Sequence, residues 1–273
     1  MKAHHLQPIV RSLELRGKEG MEFLQRITTA DLSKVGIGDS QLTCFLNEKG
    51  KLVDVASIQR MDLDIVKIHS MKGDQLGLVQ WIEKFIIMED LEIIPIPEPY
   101  YRISIFPDEK GGTTYRDASS ANLNEMSVLF GSTKFSGEAD VEDVDDEEYH
   151  RLRVEYLIAE WGYELSAERN PLEVNLQALI SNTKGCYVGQ EVIARLETYQ
   201  RIQFVLQRFT VNETKDLLGE DIYNTTGSKV GWVTTSVASH MGTSVGLAIM
   251  KPQYANGSYL TLENNHGQYL IVK

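Results

Sequence analysis

The sequence is poor in cysteine, with only Cys44 and Cys186 among its 273 residues. Two thiolates are too few for a four-thiolate zinc or iron–sulfur site within one subunit, so no stable metal centre is expected. It also lacks an apolar run of about 18 residues or more, which argues against a membrane-spanning helix. The opening residues, Met1-Lys2-Ala3-His4-His5-Leu6-Gln7-Pro8, carry no apolar signal core. A cytoplasmic protein is the expectation, and that compartment argues against a disulfide. His4 and His5 read as a mobile terminus rather than as metal ligands.

Positive charge is scarce as well: 27 Lys and Arg face 39 Asp and Glu, a formal net charge of −12. That balance opposes nonspecific binding to nucleic acid or anionic lipid, so neither a direct nucleic-acid partner nor a membrane surface is expected. An anionic ligand would need a local basic pocket. Acid is concentrated at residues 138 to 148, Glu-Ala-Asp-Val-Glu-Asp-Val-Asp-Asp-Glu-Glu. This run lacks the central glycine and the final-glutamate spacing of a calcium-binding loop. It reads as a solvated acidic loop, with a protein-docking patch as the alternative.

What is present is globular. The 42% hydrophobic and 24% charged content fits a soluble chain with room for one large or roughly two to three small domains. Residues 12–17 read as a strand and 18–27 as a helix with Met21, Leu24 and Ile27 on one face. Residues 41–46 and 51–61 read as strands joined by the hairpin tetrad Asn47-Glu48-Lys49-Gly50. Residues 63–69 continue as a strand and 74–88 as a helix. Residues 91–96 are β-like, with Pro95, Pro97 and Pro99 breaking the ladder, before short strands at 101–106 and 125–130. A helix-like face follows at 148–161. From Arg201 the character changes to strands at 203–211, 229–236, 244–250, 259–262 and 268–272. A β tail of about 70 residues closes its edges most economically as a small barrel. The fold class is therefore α+β, with an α+β region over 1–200 and a β-barrel domain over 201–273.

The richest segment is Lys184-Gly185-Cys186-Tyr187-Val188-Gly189-Gln190-Glu191, followed at once by a helical pattern. Glycine permits a tight or positive-φ turn. Such a turn can hold a thiol at a helix entrance, where the positive helix end and Lys184 favour thiolate. A packed, inert cysteine in a glycine-shaped turn is the alternative.

Three blocks together give the chain a family likeness. They are residues 16–31, Arg-Gly-Lys-Glu-Gly-Met-Glu-Phe-Leu-Gln-Arg-Ile-Thr-Thr-Ala-Asp, residues 45–54, Phe-Leu-Asn-Glu-Lys-Gly-Lys-Leu-Val-Asp, and the Cys186 segment. With Lys229 to Ser236 and Gly246-Leu247-Ala248, they resemble the YgfZ branch of the GcvT-like, folate-binding family. The likeness spans nearly the whole chain, and the Cys186 segment matches the branch signature at every fixed position.

The resemblance implies two interleaved antiparallel-sheet units and a terminal barrel in a ring that accepts tetrahydrofolate or a one-carbon derivative. It implies iron–sulfur proteins or assembly factors as partners and a role in iron–sulfur cluster assembly or repair, including support of tRNA-modifying enzymes. Glu155 looks like the family's pterin-binding acid, a buried carboxylate that accepts paired hydrogen bonds. The alternative for Glu155 is an exposed helix residue. Asp54 matches an acid near the folate pocket, although the second adjacent acid common in aminomethyltransferases is Val55 here. Lys184, Tyr187 and Arg195, with Arg201 nearby, are candidates to contact the cofactor or its anionic tail. Cys186 is the functional thiol, as nucleophile, redox-sensitive group or transient cluster ligand. Two rival functions remain: a folate-dependent aminomethyl- or methyltransferase, and a non-enzymatic scaffold that has lost folate.

Overall fold

The computed structural model describes residues 2–5, 10–106, 121–123, 126–131, 142–239, 242–255, 259–262 and 265–272. Residues 6–8 of the opening segment, Glu125 and residues 138–141 of the acidic run lie outside this set. The chain divides into two compact units, Met1–Val144 with Gln177–Val192, and Asp145–Leu176 with Ile193–Lys273.

The first unit contains strands β1 (Lys2–His5) and β2 (Val10–Arg16), helix α1 (Gly20–Ile27), then strands β3 (Ser40–Leu46), β4 (Leu52–Arg60) and β5 (Ile65–Ser70). Helix α2 (Gln75–Glu83) and strands β6 (Glu92–Phe106), β7 (Ala121–Leu123), β8 (Met126–Gly131) and β9 (Glu142–Asp143) follow. They form a sheet in the order β3-β4-β5-β2-β6-β1-β9, with β8 paired to β6 and β7. All pairs are antiparallel except β1 with β9. His4 and His5 thus belong to a strand rather than to a loose terminus, and Glu142 and Asp143 of the acidic run pair beside it.

Alternation sets the core face. Leu13 and Leu15 of β2 are fully buried and meet Val66, Ile68 and Ile58 of the neighbouring strands. Phe23, Leu24 and Ile27 of α1 and Leu78, Trp81 and Ile82 of α2 cover that face. Asp74 caps α2 by accepting from the Gly77 amide at 3.0 Å, which satisfies one of the orphan donors of a helix start.

Two expectations are corrected. Residues 92–106 form one continuous strand through Pro95, Pro97 and Pro99. A strand turns successive N–H groups to opposite edges, so prolines at every second position give up donors on one edge only. The ladder with β2 holds over residues 92–96 and slips across 97–99 before Val10 meets Tyr100. Helix α2 stops at Glu83 instead of reaching Met88, because the chain tightens there through Phe85 N to Ile82 O and Ile86 N to Glu83 O.

The second unit begins with α3 (Asp146–Glu155), capped by Asp145 accepting from the Glu148 amide at 2.8 Å. The remaining acids of the run sit in its first turn, where the helix dipole favours them. The helical pattern continues to Trp161, but the helix ends at Glu155. Leu157 adopts a left-handed φ of 55°, and its carbonyl accepts from Asn175 Nδ2 at 3.1 Å. Helix α4 (Gln190–Thr198) carries the chain from the first unit into the second.

Strands β10 (Val205–Val211), β11 (Asp221–Tyr223), β12 (Lys229–Ala238), β13 (Ser244–Met250), β14 (Tyr259–Leu262) and β15 (Asn265–Val272) close a barrel. Its order is β10-β13-β12-β11-β14-β15, with antiparallel pairing throughout. Phe209, Ile222, Val233, Ala248, Met250 and Leu260 fill its interior. The structure is α+β with a small C-terminal barrel.

Candidate functional site

The three sequence blocks meet in the first unit. Ser181 N donates to Thr29 O at 2.9 Å, and Thr29 Oγ1 donates to Leu179 O at 2.7 Å. The Lys184 ammonium donates to Thr28 O at 2.8 Å and to Ala30 O at 2.6 Å. The 184–191 segment is therefore tied to the turn that follows α1. Burial pushes the Lys184 ammonium down to about 8, opposed by the charge of Asp31. The same ammonium lies 5.6 Å from the ring centroid of buried Tyr187, within cation–π range.

Gly189 makes the second anchor. Its φ is +83°, and a Cβ there would lie 2.7 Å from Asn47 O, in the hairpin between β3 and β4. Only glycine meets both demands. Between the two anchors Cys186 is exposed and free, four residues before α4, and a Cβ on Gly185 would meet nothing within 4 Å. The arrangement displays a thiol on a fixed, open loop. Lys184, read from sequence as a promoter of thiolate, has its ammonium committed to two backbone carbonyls and so positions the loop. Cys44 contrasts with Cys186: it is fully buried in β3, and burial pushes its thiol up to about 12.

Asp54 in β4 is 1% exposed. Ser70 Oγ donates to its Oδ2 at 2.5 Å and the Lys72 amide donates to Oδ1 at 3.1 Å. Burial outweighs these bonds and pushes the carboxyl up to about 7. It can therefore hold or release a proton near neutrality, as general acid–base groups do. A cleft of about 220 Å³ opens beside it, lined also by Lys72, Asp74, Gln80, Trp81 and Lys84.

Sequence reasoning missed these partners. A signal existed, because Ile58 pairs with Ile68 and Ala56 with Ser70. The same antiparallel register carried two residues further sets Asp54 against residue 72.

Glu155 is the last residue of α3 in the second unit, and its side chain is exposed. Arg153 points inward and is fully buried, so a residue two positions on projects from the opposite side of the helix. The Glu155 carbonyl accepts from Arg208 Nη1 at 2.7 Å. Arg195 is exposed on α4, as is Arg201 just beyond it.

A fully buried carboxylate of this unit is Glu164. It takes Arg153 Nη1 at 2.9 Å on Oε2 and Thr235 Oγ1 at 2.6 Å on Oε1. Arg153 also bonds Thr235 Oγ1 and Ile158 O, both at 3.0 Å, which ties α3 to β12. Glu173 is buried too and completes a capping box with Asn170.

Asp54, Lys184, Cys186 and Tyr187 thus share the first unit, while Glu155 and Arg195 belong to the second. Among the described residues no group of three or more His, Cys, Asp or Glu side chains could hold a metal ion. No helix there is long and apolar enough to cross a membrane.

No family model matches the chain. It is a distant relative of aminomethyltransferases. One from Chlorobium chlorochromatii is 29% identical over 219 residues, covering 65% of this chain and 59% of that protein's length. One from Halalkalibacterium halodurans is 22% identical over 302 residues, covering 96% and 82%. The crystal structure of glycine cleavage system aminomethyltransferase T from Bartonella henselae has the same fold. It aligns with a TM-score of 0.78 at 14% identity, over 99% of this chain and 84% of that one.

Proposed function

We propose that this protein is a tetrahydrofolate-binding accessory factor of the YgfZ type, acting in iron–sulfur cluster assembly or repair. Its clients are iron–sulfur proteins, tRNA-modifying enzymes among them. The observation that carries the reading is the anchoring of the Cys186 loop. Lys184 fixes one end to Thr28 and Ala30, and Gly189 packs the other against Asn47, so the three sequence blocks cooperate to display one exposed thiol. A merely structural cysteine is buried and inert, as Cys44 is. Kinship with aminomethyltransferases supports folate as the cofactor. In this reading Glu155 orients the pterin, Lys184, Tyr187 and Arg195 belong to the cofactor's surroundings, and Cys186 supplies the thiol.

The cofactor claim is tested by thermal unfolding with added tetrahydrofolate. A ligand that binds only the native state raises the apparent stability, by about 2.7 kcal/mol at a hundredfold excess over Kd. A clear rise in Tm, reduced in Glu155→Ala, is expected. An unchanged Tm across millimolar ligand removes folate from the account.

A second reading, a folate-dependent aminomethyl- or methyltransferase, is favoured by one observation: a buried carboxyl at Asp54, pushed up to about 7 beside an open cleft. Turnover of a methylamine-type donor in the presence of tetrahydrofolate distinguishes it.

A further inference from the structure

Arg153 fastens α3 to β12, and one side of its guanidinium rests on a titratable group. Arg153 Nη2 and Nε lie 3.0 and 3.3 Å from His150 Nδ1, one helical turn earlier. A guanidinium carries donors only, so Nδ1 must offer its lone pair. The imidazole in this arrangement is neutral, with its proton on Nε2, 3.4 Å from the Tyr163 hydroxyl. The remaining Arg153 bonds are committed elsewhere: Nη1 to Glu164 and Ile158 O, and Nη2 also to Thr235 Oγ1. Its Nε meets no acceptor but His150 among the described residues.

A proton on Nδ1 therefore has two costs. It sets an N–H against the guanidinium N–H groups, and it leaves Nε of a fully buried side chain without an acceptor. His150 itself is only half-buried, beside the rings of Tyr149 and Tyr163 at 5.7 and 5.1 Å, so it can exchange protons with solvent.

We propose that His150 is an acid-sensitive latch. Neutral, it completes the Arg153 network that holds α3 to β12; protonated, it leaves that network and loosens the helix.

The charges around the ring are Asp146 and Arg153 on α3, and Glu160 and Glu164 on the segment that follows. Both glutamates are engaged, Glu160 with the Tyr149 hydroxyl at 2.6 Å and Glu164 with Arg153. Of the strands packed on α3, β13 has no titratable side chain, and Lys229 of β12 is paired with Asp221. Burial and the Arg153 charge outweigh the carboxylates and hold the imidazole below the usual histidine range. The unfolded histidine takes its proton near about 6.5, before the folded one does. The latch is thus closed above that value and weakens as pH falls below it. This is the reverse of the dependence set by Asp54 in the other unit.

Glu155 ends the same helix, so under the folate reading above an open latch also weakens tetrahydrofolate binding. That consequence rests on the folate reading; the latch does not.

The test uses the full chain between about pH 7.5 and about pH 5, as wild type and as His150→Gln, whose amide oxygen accepts from Arg153 without titrating. Imidazole NMR reads the tautomer and midpoint of His150, and hydrogen-exchange protection reads α3. The expected results are an Nε2–H tautomer at neutral pH and a midpoint below about 6.5. Protection of α3 should fall toward acid in wild type, by up to about tenfold per pH unit, and stay level in His150→Gln. An Nδ1–H tautomer, a midpoint at or above that of free histidine, or equal acid loss in both proteins overturns the proposal. If His150→Gln loosens α3 already at neutral pH, the wild-type tautomer and midpoint decide. Tetrahydrofolate binding that ignores pH while α3 loosens keeps the latch and counts against Glu155 as the pterin acid; parallel loss supports both.

Discussion

Asp54 places a pH dependence on stability whose sign follows from its burial. The unfolded carboxyl has an ordinary value near 4, whereas the folded one lies at about 7. Between those values the folded chain holds a proton that the unfolded chain has released, so stability falls as pH rises through the window. The contribution is most favourable below about pH 4 and is lost above about 7. Asp54→Asn removes the titration while leaving an oxygen for Ser70. Urea unfolding from pH 5 to 8 is expected to show the wild type losing roughly 1–3 kcal/mol relative to that variant. Parallel curves would mean that Asp54 is ionised throughout, and would take the proton from the cleft chemistry.

At the scale of elements, the anchored loop is the structure to perturb. Gly189→Ala forces a left-handed φ on alanine and drives a Cβ toward Asn47 O, so it should cost about 1–3 kcal/mol. Lys184→Met leaves the Thr28 and Ala30 carbonyls without their donor and should cost a similar amount. Denaturant midpoints check both. Either variant unfolding like wild type would show that the loop is not held where the contacts place it.

These contacts also show what was legible. The β3–β4 hairpin was readable because Asn47 accepts from the Lys49 and Lys51 amides, a local arrangement that a short polar tetrad signals by itself. Five of the six barrel strands were readable as apolar runs between glycine-bearing connections, whereas β11 is only three residues long and too short to carry a pattern. The prolines of β6 marked a slip in the ladder with β2 but not the end of the strand, because β8 and β1 take up its pairing from Tyr101 onward, a nonlocal fact. The Asp54 cleft was hidden for the same reason: Ser70, Lys72, Trp81 and Lys84 converge only after β5 and α2 fold back on β4. The exposure of Glu155 was equally hidden, because its direction on α3 follows from the inward burial of Arg153 two residues earlier.

Across the whole molecule, each compact unit has its own cohesion, and the second depends on a buried ion pair. Arg153→Met strands Glu164, fully buried, without its cation, and should cost about 3–5 kcal/mol. Hydrogen exchange should show the loss in α3 and β12 while β2 to β5 keep their protection. Uniform loss over both units would indicate a single cooperative structure.

Kinship with aminomethyltransferases and a shared fold leave the reaction open, since one fold carries many chemistries. The thiol decides between them. The most direct measurement is complementation of cells lacking the protein with Cys186→Ala, reading the activity of an iron–sulfur enzyme at matched expression. Because the side chain is exposed, the substitution should leave stability within about 0.5 kcal/mol of wild type. Loss of the iron–sulfur activity at unchanged Tm is the predicted result. Full activity with the alanine in place would contradict the account.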